Sequence, residues 1–198
     1  MVPESSRERV GVLITPMMCD VPNADVLVVG LGAMGSAVSY QLARRGARVI
    51  GIDRFRPPHT FGSTHGQTRL TRQATGEGVA CARLVLRSHE LWREIEQETG
   101  NELLVPCGGL ILTAASNTVG IYGAKDFYAA TVDAARVLGI EHEVFGGNEL
   151  HHRFPQFRLE EEHRCYYEPG AGFVYPEAAV RSQLELASRH GAVLRERR

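Results

Sequence analysis

The sequence has 198 residues, of which 43% are hydrophobic and 23% are charged, and its formal net charge is -1. This composition is typical of a globular protein, with enough chain for one large domain or for one domain and part of another. The near-neutral charge and the lack of an apolar run of membrane-spanning length argue against a nucleic-acid-binding protein and against a membrane protein.

Residues 1–24 precede the first predicted element and are interpreted as a disordered leader or as an overextended start, with Met17 or Met18 as the true first residue. Their apolar stretch is weakly similar to the core of a signal peptide, but Pro16 interrupts it and no A-x-A cleavage site follows. The four cysteines of the chain are widely spaced and include no C-x-x-C pair, which favours reduced thiols in a cytoplasmic protein.

The ordered part of the chain is predicted to begin with a strand, a helix and a second strand. The continuous apolar run DVLVVG predicts a buried strand over 25–30, and MGSAVSYQLARRG predicts a helix over 34–46. RVIGID predicts the next strand over 48–53, and a polar, glycine-rich loop follows over 54–78. The pattern therefore indicates a βαβ unit at the start of an α/β fold.

The remaining predicted elements mix helices with short strands. They are an amphipathic helix, a strand pair around Cys107-Gly108, a helix ending at Gly139, a short helix, two extended segments, a helix opened by Pro176, and a last strand. In chain order their predicted ranges are 82–100, 102–115, 124–138, 148–154, 165–176, 176–190 and 192–197.

Three glycines, Gly30, Gly32 and Gly35, occur where the first strand passes into the first helix, with G-x-G-x-x-G spacing. In such a loop the first glycine allows a tight turn, the second lets a pyrophosphate approach the backbone, and the third lets helix and strand pack closely. The helix N-terminus offers unpaired N–H groups to the phosphates. Asp53 ends the second strand, where a carboxylate accepts hydrogen bonds from the adenosine ribose. These features predict a dinucleotide site.

The order of the elements favours FAD over NAD as this dinucleotide. In an NAD-dependent dehydrogenase a third parallel strand follows within a few dozen residues, because βαβ units are short. Here the chain leaves the unit after Asp53, and a helix-then-strand segment returns only over 176–197. A third sheet strand delayed by a large insertion is the arrangement of a flavoprotein.

The predicted fold is therefore α/β, with a Rossmann-like FAD-binding βαβ unit and a large α+β insertion that begins a second, substrate-covering domain. The FAD-binding domain is predicted to comprise residues 25–78 and 166–198, with the third sheet strand near 192–197. The insertion is predicted to span residues 79–165.

The loop after the second strand carries a resemblance to a known family. The segment DRFRPPHTFGSTHGQTRLTRQATGEG (53–78) combines D-x-F-x-P-P-H, G-S-x-H-G-x-T-R and a second arginine three residues on. It resembles the corresponding stretch of the monomeric sarcosine oxidase and N-methyltryptophan oxidase family, flavoenzymes that oxidise N-methyl amino acids. LVLRSHELWREIEQETG and YYEPGAGFVYPEAAV also resemble this family in place and order, so that the likeness covers residues 25–194.

The resemblance implies roles for individual residues. His65 matches a histidine beside the flavin, Arg69 an arginine against one face of the isoalloxazine ring, and Arg72 an arginine that binds the substrate carboxylate. Arginine suits both tasks, because it stays charged beside an anionic reduced flavin and binds a carboxylate through two parallel hydrogen bonds. The predicted catalytic residues are thus His65, Arg69 and Arg72, and the predicted flavin-binding residues are Gly30, Gly32, Ala33, Met34, Gly35, Asp53, Arg54, Ser63, His65 and Arg69.

The spacing of the two arginines also allows a second interpretation. Three residues apart, Arg69 and Arg72 would lie on the same side of a helical turn. Such a turn could place Arg69 at the flavin and Arg72 one step outward at the substrate, or it could simply present a solvated basic surface.

The chain departs from the family's pattern at several positions. Gln67 stands where members often carry aspartate, ATGEGVACARL lacks the usual tyrosine, and Cys107 replaces a small polar residue. Members of the family continue well past the position of residue 198, and their second half supplies the cysteine that bonds covalently to the flavin and most of the substrate pocket. The chain has four cysteines, and none of them corresponds to the position of that flavin-linked cysteine: Cys19, Cys81, Cys107 and Cys165.

The resemblance implies an FAD-dependent oxidase of a secondary, N-methyl amino acid, with oxygen as the acceptor and with hydrogen peroxide and formaldehyde as products. The expected partners are a small amino acid and oxygen, the full-length form is expected to be a cytoplasmic monomer, and no metal site is predicted. Oxidation of pipecolate or of glycine-type substrates on the same scaffold stays open. So do two other functions, an NAD(P)-dependent dehydrogenase and a nucleotide-binding fragment without turnover.

Overall fold

The computed structural model describes residues 23–114, 126–157 and 162–196 of the chain, so that the predicted leader lies outside the described residues apart from 23 and 24. The described helices are Ala33–Arg44 (α1), Val79–Thr99 (α2), Phe127–Leu138 (α3), Gly147–Arg153 (α4) and Pro176–Arg189 (α5). The described strands are Val26–Val29 (β1), Val49–Asp53 (β2), Arg69–Thr71 (β3), Leu104–Pro106 (β4), Gly109–Ala114 (β5), Glu143–Gly146 (β6), His163–Glu168 (β7), Gly172–Val174 (β8) and Val193–Glu196 (β9). None of these helices combines the length and the hydropathy needed to cross a bilayer.

Strands β1, β2 and β9 form the parallel sheet of the nucleotide-binding unit, in the order β1-β2-β9. Val26 of β1 is paired with Val49 of β2, and Asp53 at the end of β2 is paired with Glu196 of β9. The third strand joins this sheet after an excursion over residues 54–192. The α/β fold with a Rossmann-like unit and a large α+β insertion is therefore confirmed.

Helices α1 and α5 cover one face of the parallel sheet. Val28 and Val49 of the sheet share one buried hydrophobic cluster with Tyr40 of α1 and Val180 of α5. The side chains that α5 buries recur with the helical period, which is why this segment forms a helix with one apolar face. Packing of this single stripe orders both helices, and the same helices bring the glycine loop into position at the carboxyl end of β1.

The opposite face of the sheet is left uncovered by the described residues. Leu27 is 58% exposed and Val29 is 76% exposed, whereas Val28 between them is buried against the helices. Successive side chains of a strand point to opposite faces, and parallel sheets are normally covered on both. β1 is also an edge strand of the described sheet. This face is therefore an apolar surface of the kind that contacts other protein segments.

Two antiparallel sheets, in the orders β3-β8-β4 and β5-β7-β6, lie within the excursion. The two strands around Cys107-Gly108 were predicted as a pair, and this prediction is wrong, because β4 pairs with β8 and β5 pairs with β7. Gly108 has a φ of +79°, and the N–H groups of Cys107 and Gly108 both donate to the carbonyl of Ala171. The chain therefore passes from one sheet to the other at this point instead of turning back on itself.

Two short strands were not predicted from the sequence. β3 lies within the predicted loop over 54–78, and β6 lies between α3 and α4. Each is extended because a partner strand provides its hydrogen bonds, β8 for β3 and β7 for β6. Helix α2 begins at Val79, three residues before the predicted start at residue 82.

The sheets do not follow the predicted domain boundaries. The boundary between residues 165 and 166 falls inside β7, which spans His163–Glu168. β8 pairs with β3, which was assigned to the FAD-binding domain, and with β4, which was assigned to the insertion. The division of the chain into domains stays a prediction.

Candidate functional site

The loop between β1 and α1 is built by its glycines. Gly30 has a φ of +88°, a conformation that side chains disfavour, and its N–H donates to the carbonyl of Ile52 at 2.8 Å. A Cβ on Gly35 would lie 1.7 Å from the carbonyl oxygen of Gly30, so only glycine allows α1 to approach the strand this closely. A Cβ on Gly32 would meet only the Thr64 hydroxyl oxygen, at 3.6 Å. The first and third glycines are thus required by the fold, and the second is not.

The N-terminus of α1 opens towards solvent-accessible space. No side chain caps the helix at Gly32, and its first turn contains no acidic residue. The Ala33 N–H has only a long contact to the Thr64 hydroxyl oxygen, at 3.3 Å. An uncapped helix N-terminus combines free N–H donors with a partial positive charge, which suits a phosphate group.

Asp53 connects the second strand to the glycine loop. One carboxylate oxygen accepts the N–H of Leu31 at 2.7 Å, and the other accepts the N–H of Phe55 at 2.9 Å and lies 3.3 Å from His59 Nε2. Burial alone would raise the pKa of Asp53, but the two backbone donors and His59 outweigh it and the pKa is lowered. Asp53 is therefore ionised at neutral pH, and part of its hydrogen-bonding capacity already holds the loop.

A cleft of about 1000 Å³ lies over this loop. Its walls include the glycine loop, Asp53, Arg54 and Ser63. On one side the rings of Phe55 and Phe61 are stacked with their centroids 4.2 Å apart. The structure thus brings most of the predicted flavin-binding residues into one cleft, and these are Gly30, Gly32, Ala33, Met34, Gly35, Asp53, Arg54 and Ser63.

A second cavity of about 550 Å³ adjoins the cleft. The two share Ala33, Met34, Ser63, Thr64 and Val180 as lining residues. Most of the second cavity is apolar, with Leu91 and Trp92 of α2 among its walls, and Arg69 is its charged residue. A cavity that contains a guanidinium group therefore lies directly beside the cleft, at residues 63 and 64.

The prediction that Arg69 and Arg72 share a helical turn is wrong. Arg69 begins β3, and Arg72 directly follows this strand. Because side chains alternate along a strand, residues three apart point to opposite sides. Arg69 Nη2 donates to the carbonyl of Ser63 at 3.0 Å and lines the second cavity, whereas Arg72 lines neither cavity.

Arg72 has a carboxylate neighbour of its own. Its Nη2 lies 3.6 Å from Glu77 Oε2 and 3.5 Å from the Thr75 hydroxyl oxygen, and its guanidinium lies over the ring of Phe127 with 5.4 Å from Cζ to the centroid. Its Nε is buried and has no hydrogen-bond acceptor among the described residues. Arg72 is therefore a partly buried guanidinium that already faces one carboxylate and retains an unused donor.

The other predicted site residues have simpler surroundings. His65 is exposed and lines neither cavity, and its carbonyl is 3.5 Å from Arg69 Nη2. Gly66, the next residue, donates its N–H to Glu177 at 3.0 Å, which ties this loop to α5. The described cysteines, Cys81, Cys107 and Cys165, are free thiols, and Cys19 lies outside the described residues.

Sequence reasoning missed several residues that build the site. His59 contacts Asp53, Thr64 lies between the two cavities, and Glu77 pairs with Arg72. His59 and Glu77 lie inside the segment that carries the family resemblance. The sequence therefore drew attention to them, but it did not indicate what either residue does. The pairing of Glu77 with Arg72 depends on a turn after β3, which no local pattern indicates.

The residues of the cleft fit FAD. The uncapped first turn of α1 can receive a pyrophosphate, Asp53 stands at the end of β2 as an acceptor, and the aromatic pair at Phe55 and Phe61 forms one wall. The adjoining second cavity leaves room for the remainder of an extended dinucleotide.

Comparison with known proteins agrees with this geometry. A model of the FAD dependent oxidoreductase (DAO) family matches residues 25–198. Monomeric sarcosine oxidase from Bacillus sp. (strain NS-129) is 38% identical over 170 residues, which are 86% of this chain and 42% of that protein. N-methyl-L-tryptophan oxidase from Yersinia pestis (strain Pestoides F) is 30% identical over 167 residues, 84% of this chain and 43% of that protein.

Solved structures with the same fold include oxidases and a dehydrogenase. NikD, an unusual amino acid oxidase essential for nikkomycin biosynthesis, has a TM-score of 0.72 and 25% identity, covering 87% of this chain and 43% of NikD. L-proline dehydrogenase from P. horikoshii has a TM-score of 0.68 at 23% identity, covering 88% of this chain and 44% of that one. The chain thus spans less than half the length of the relatives it matches. Over its matched length, from residue 25 to residue 198, the chain belongs to the FAD dependent oxidoreductase family, and sarcosine and N-methyltryptophan oxidases are among its relatives.

Proposed function

We propose that this chain binds FAD in the cleft over the glycine loop and serves as the nucleotide-binding part of an oxidase of secondary, N-methyl amino acids. The acceptor would be oxygen, and the products would be hydrogen peroxide and formaldehyde. The observation that carries the proposal is the adjacency of the two cavities, one over the uncapped N-terminus of α1 and the other lined by Arg69.

In this proposal the residues of the cleft hold FAD along its length. The first turn of α1 binds the pyrophosphate, Asp53 accepts from the adenosine ribose, and Arg54 and Ser63 line the cleft beside it. When bound, FAD supplies a two-electron acceptor for the N-methyl carbon, and oxygen then takes up the electrons to give hydrogen peroxide. Hydrolysis of the oxidised amine releases formaldehyde and the free amino acid.

In this proposal Arg69 interacts with the flavin and Arg72 binds the carboxylate of the substrate. Arg69 lines the second cavity, where its positive charge would stabilise the negative charge that develops on the isoalloxazine ring of the flavin. Arg72 would hold the carboxylate of the amino acid through Nη2 of its guanidinium. Because Glu77 faces Nη2, the substrate carboxylate would displace Glu77 as it binds.

The two alternative functions differ in what they bind and in what they turn over. An NAD(P)-dependent dehydrogenase is disfavoured by membership of an FAD dependent family. A nucleotide-binding fragment without turnover has the same cleft, and it would retain flavin without producing peroxide.

Titration of the purified chain with FAD tests the proposed function. We expect a change in the flavin absorption bands on binding and no comparable binding of NAD. With bound flavin, sarcosine or N-methyl-L-tryptophan should then give oxygen uptake and peroxide, and pipecolate serves as the comparison substrate. Binding of NAD instead of FAD would overturn the cofactor assignment. Flavin retention without peroxide from any of these amines would favour the fragment.

Replacement of Arg72 by lysine tests the carboxylate site. Lysine keeps the charge but loses the planar fork, so we expect the amino-acid KM to rise strongly while flavin content stays near that of the unmodified protein. Loss of one charge-assisted contact is worth about 1.5–3 kcal/mol, roughly a ten- to hundredfold loss in kcat/KM. Flavin occupancy and KM are measured on the same sample.

Glu77→Gln is the matched control for Arg72→Lys. It removes the competing carboxylate and leaves the guanidinium in place, so KM should fall or stay unchanged. If Arg72→Lys lost flavin while the remaining holoenzyme kept its KM, Arg72 would be a ligand of the cofactor phosphates and the carboxylate assignment would fail.

A further inference from the structure

A buried carboxylate lies at the end of β7, beneath the segment that follows β3. Glu168 is 1% exposed, and its Oε1 accepts the N–H of Gln73 at 2.5 Å. Its Oε2 accepts the N–H of Ala74 at 2.9 Å and the hydroxyl of Tyr166 at 2.7 Å. No Lys, Arg or His of the described ranges forms an ion pair with it. Glu168 is therefore held by three hydrogen bonds, two of them from backbone N–H groups.

These hydrogen bonds hold the two residues that follow Arg72. A carboxylate is costly to bury, and donors that satisfy it are held firmly because the alternative is an unpaired charge. Hydrogen bonds to an ionised acceptor are also about twice as strong as neutral ones. The peptide groups of Gln73 and Ala74 are thus attached to a strand that is distant in sequence, and the direction of the chain at Arg72 is fixed from its C-terminal side.

The N-terminal side of Arg72 is held as well. Thr71, the residue before it, shares a hydrogen bond of 2.9 Å between its hydroxyl oxygen and Nε2 of the buried His89 in α2. Further along, a Cβ on Gly76 would lie 2.3 Å from the ring of Phe127, the ring over which the guanidinium of Arg72 lies. The backbone around Arg72 is therefore attached on both sides, and the guanidinium has a fixed ring beneath it.

We propose that Glu168 is a positioning residue for Arg72: through the N–H groups of Gln73 and Ala74 it sets where the guanidinium is presented to a carboxylate ligand. The proposal rests on the proposed function, in which Arg72 binds the carboxylate of the substrate. Glu168 acts indirectly, because its oxygens contact the backbone after Arg72 and not the guanidinium.

A purely structural role for Glu168 predicts a different result. If the carboxylate only stabilised the fold, its loss would lower stability and would affect every ligand alike. If it positions Arg72, its loss weakens carboxylate binding selectively, and affinity for FAD, which lies along the cleft at the glycine loop, is unchanged. The ratio between the two affinities is therefore the decisive quantity.

The test compares Glu168→Gln with Tyr166→Phe in the FAD-loaded chain. Glutamine has one acceptor oxygen and one NH₂ group, so one of the two backbone N–H groups loses its partner. Tyr166→Phe removes the third contact of Glu168 and leaves the backbone contacts intact. Acetate is the probe, and its dissociation constant is read from the perturbation of the flavin absorption bands, beside the FAD dissociation constant and the unfolding midpoint.

We expect Glu168→Gln to weaken acetate binding about tenfold, as for loss of a single contact to a charged group, with FAD affinity within twofold. Tyr166→Phe should change neither by more than twofold. Equal losses of acetate and FAD affinity that follow a lowered unfolding midpoint would overturn the proposal in favour of a structural role. Glu168→Asp, which keeps the charge one carbon shorter, is the second variant, and an unchanged acetate affinity in it would also count against positioning.

Arg72→Lys, measured with the same probe, separates this inference from the proposed function. Weaker acetate binding in Arg72→Lys together with unchanged binding in Glu168→Gln overturns the positioning role alone. Unchanged acetate binding in Arg72→Lys overturns the carboxylate site and the positioning role with it.

Discussion

Gly35→Ala is expected to lower the free energy of unfolding by about 2 kcal/mol or more. Overpacking typically costs about 1–3 kcal/mol, and the contact here is severe, because the new Cβ would lie 1.7 Å from a backbone oxygen, that of Gly30. That oxygen cannot rotate away, so α1 has to move from β1. The better helix propensity of alanine offsets only about 1 kcal/mol of the cost. Urea unfolding of the protein without added flavin measures the change.

Gly32→Ala is the matched control in the same loop. Its Cβ would have its nearest neighbour at 3.6 Å and its φ is -72°, so stability should change by less than about 0.5 kcal/mol. FAD affinity should fall instead, because the methyl group would project into the cleft where the pyrophosphate is proposed to lie. Equal losses of stability in both variants would contradict the assignment of Gly35 to packing and of Gly32 to cofactor binding. Unfolding of Gly35→Ala at the same urea concentration as the unmodified chain would contradict it as well.

Asp53→Ala is expected to weaken FAD binding ten- to a hundredfold. Loss of a charge-assisted hydrogen bond to the adenosine ribose is worth roughly 1.5–3 kcal/mol. The structure adds a second effect, because Asp53 also accepts the N–H groups of Leu31 and Phe55 and so holds the loop. Fluorescence titration with FAD gives the total loss of affinity.

FMN distinguishes the two roles of Asp53, because it contains the flavin and one phosphate but no adenosine. If the carboxylate binds the adenosine ribose, Asp53→Ala should lower affinity for FAD clearly more than affinity for FMN, because loss of the loop contacts affects both ligands and loss of the ribose contact affects FAD alone. An equal loss for both ligands would mean that Asp53 acts only by holding the loop, and the ribose assignment would then fail. The lowered pKa of Asp53 keeps the carboxylate ionised in titrations at neutral pH, so protonation does not enter the comparison.

The two proposed sites differ in how they depend on the rest of the fold. The cleft at the glycine loop is assembled from β1, α1, β2 and the residues that follow Asp53, which are close in sequence. The setting of Arg72 depends on Glu168, which lies more than ninety residues away, and on Phe127 of α3. Substitutions at the first site are therefore expected to act on the cofactor, and substitutions around the second on the amino acid.

Local pattern was sufficient to predict the nucleotide-binding unit. An apolar run, a glycine triplet and an apolar helical stripe occur within 29 residues, Asp25–Asp53, and each is a preference of neighbouring residues for one conformation. The positive φ of Gly30 and the close approach at Gly35 follow from the same short segment. In this segment the interactions that select the conformation join residues a few positions apart, so a local sequence pattern is enough to predict it.

Long-range pairing decided the remainder. β3 is three residues long and is extended because β8 pairs with it, and β4 and β5 separate because Ala171 accepts both N–H groups at the turn between them. The strand conformation at Arg69 turns the two arginines to opposite sides, where their spacing alone suggested a common helical face. Such contacts join residues up to about a hundred positions apart, and their free energy appears only once both partners are folded together, so no window of neighbouring residues contains it.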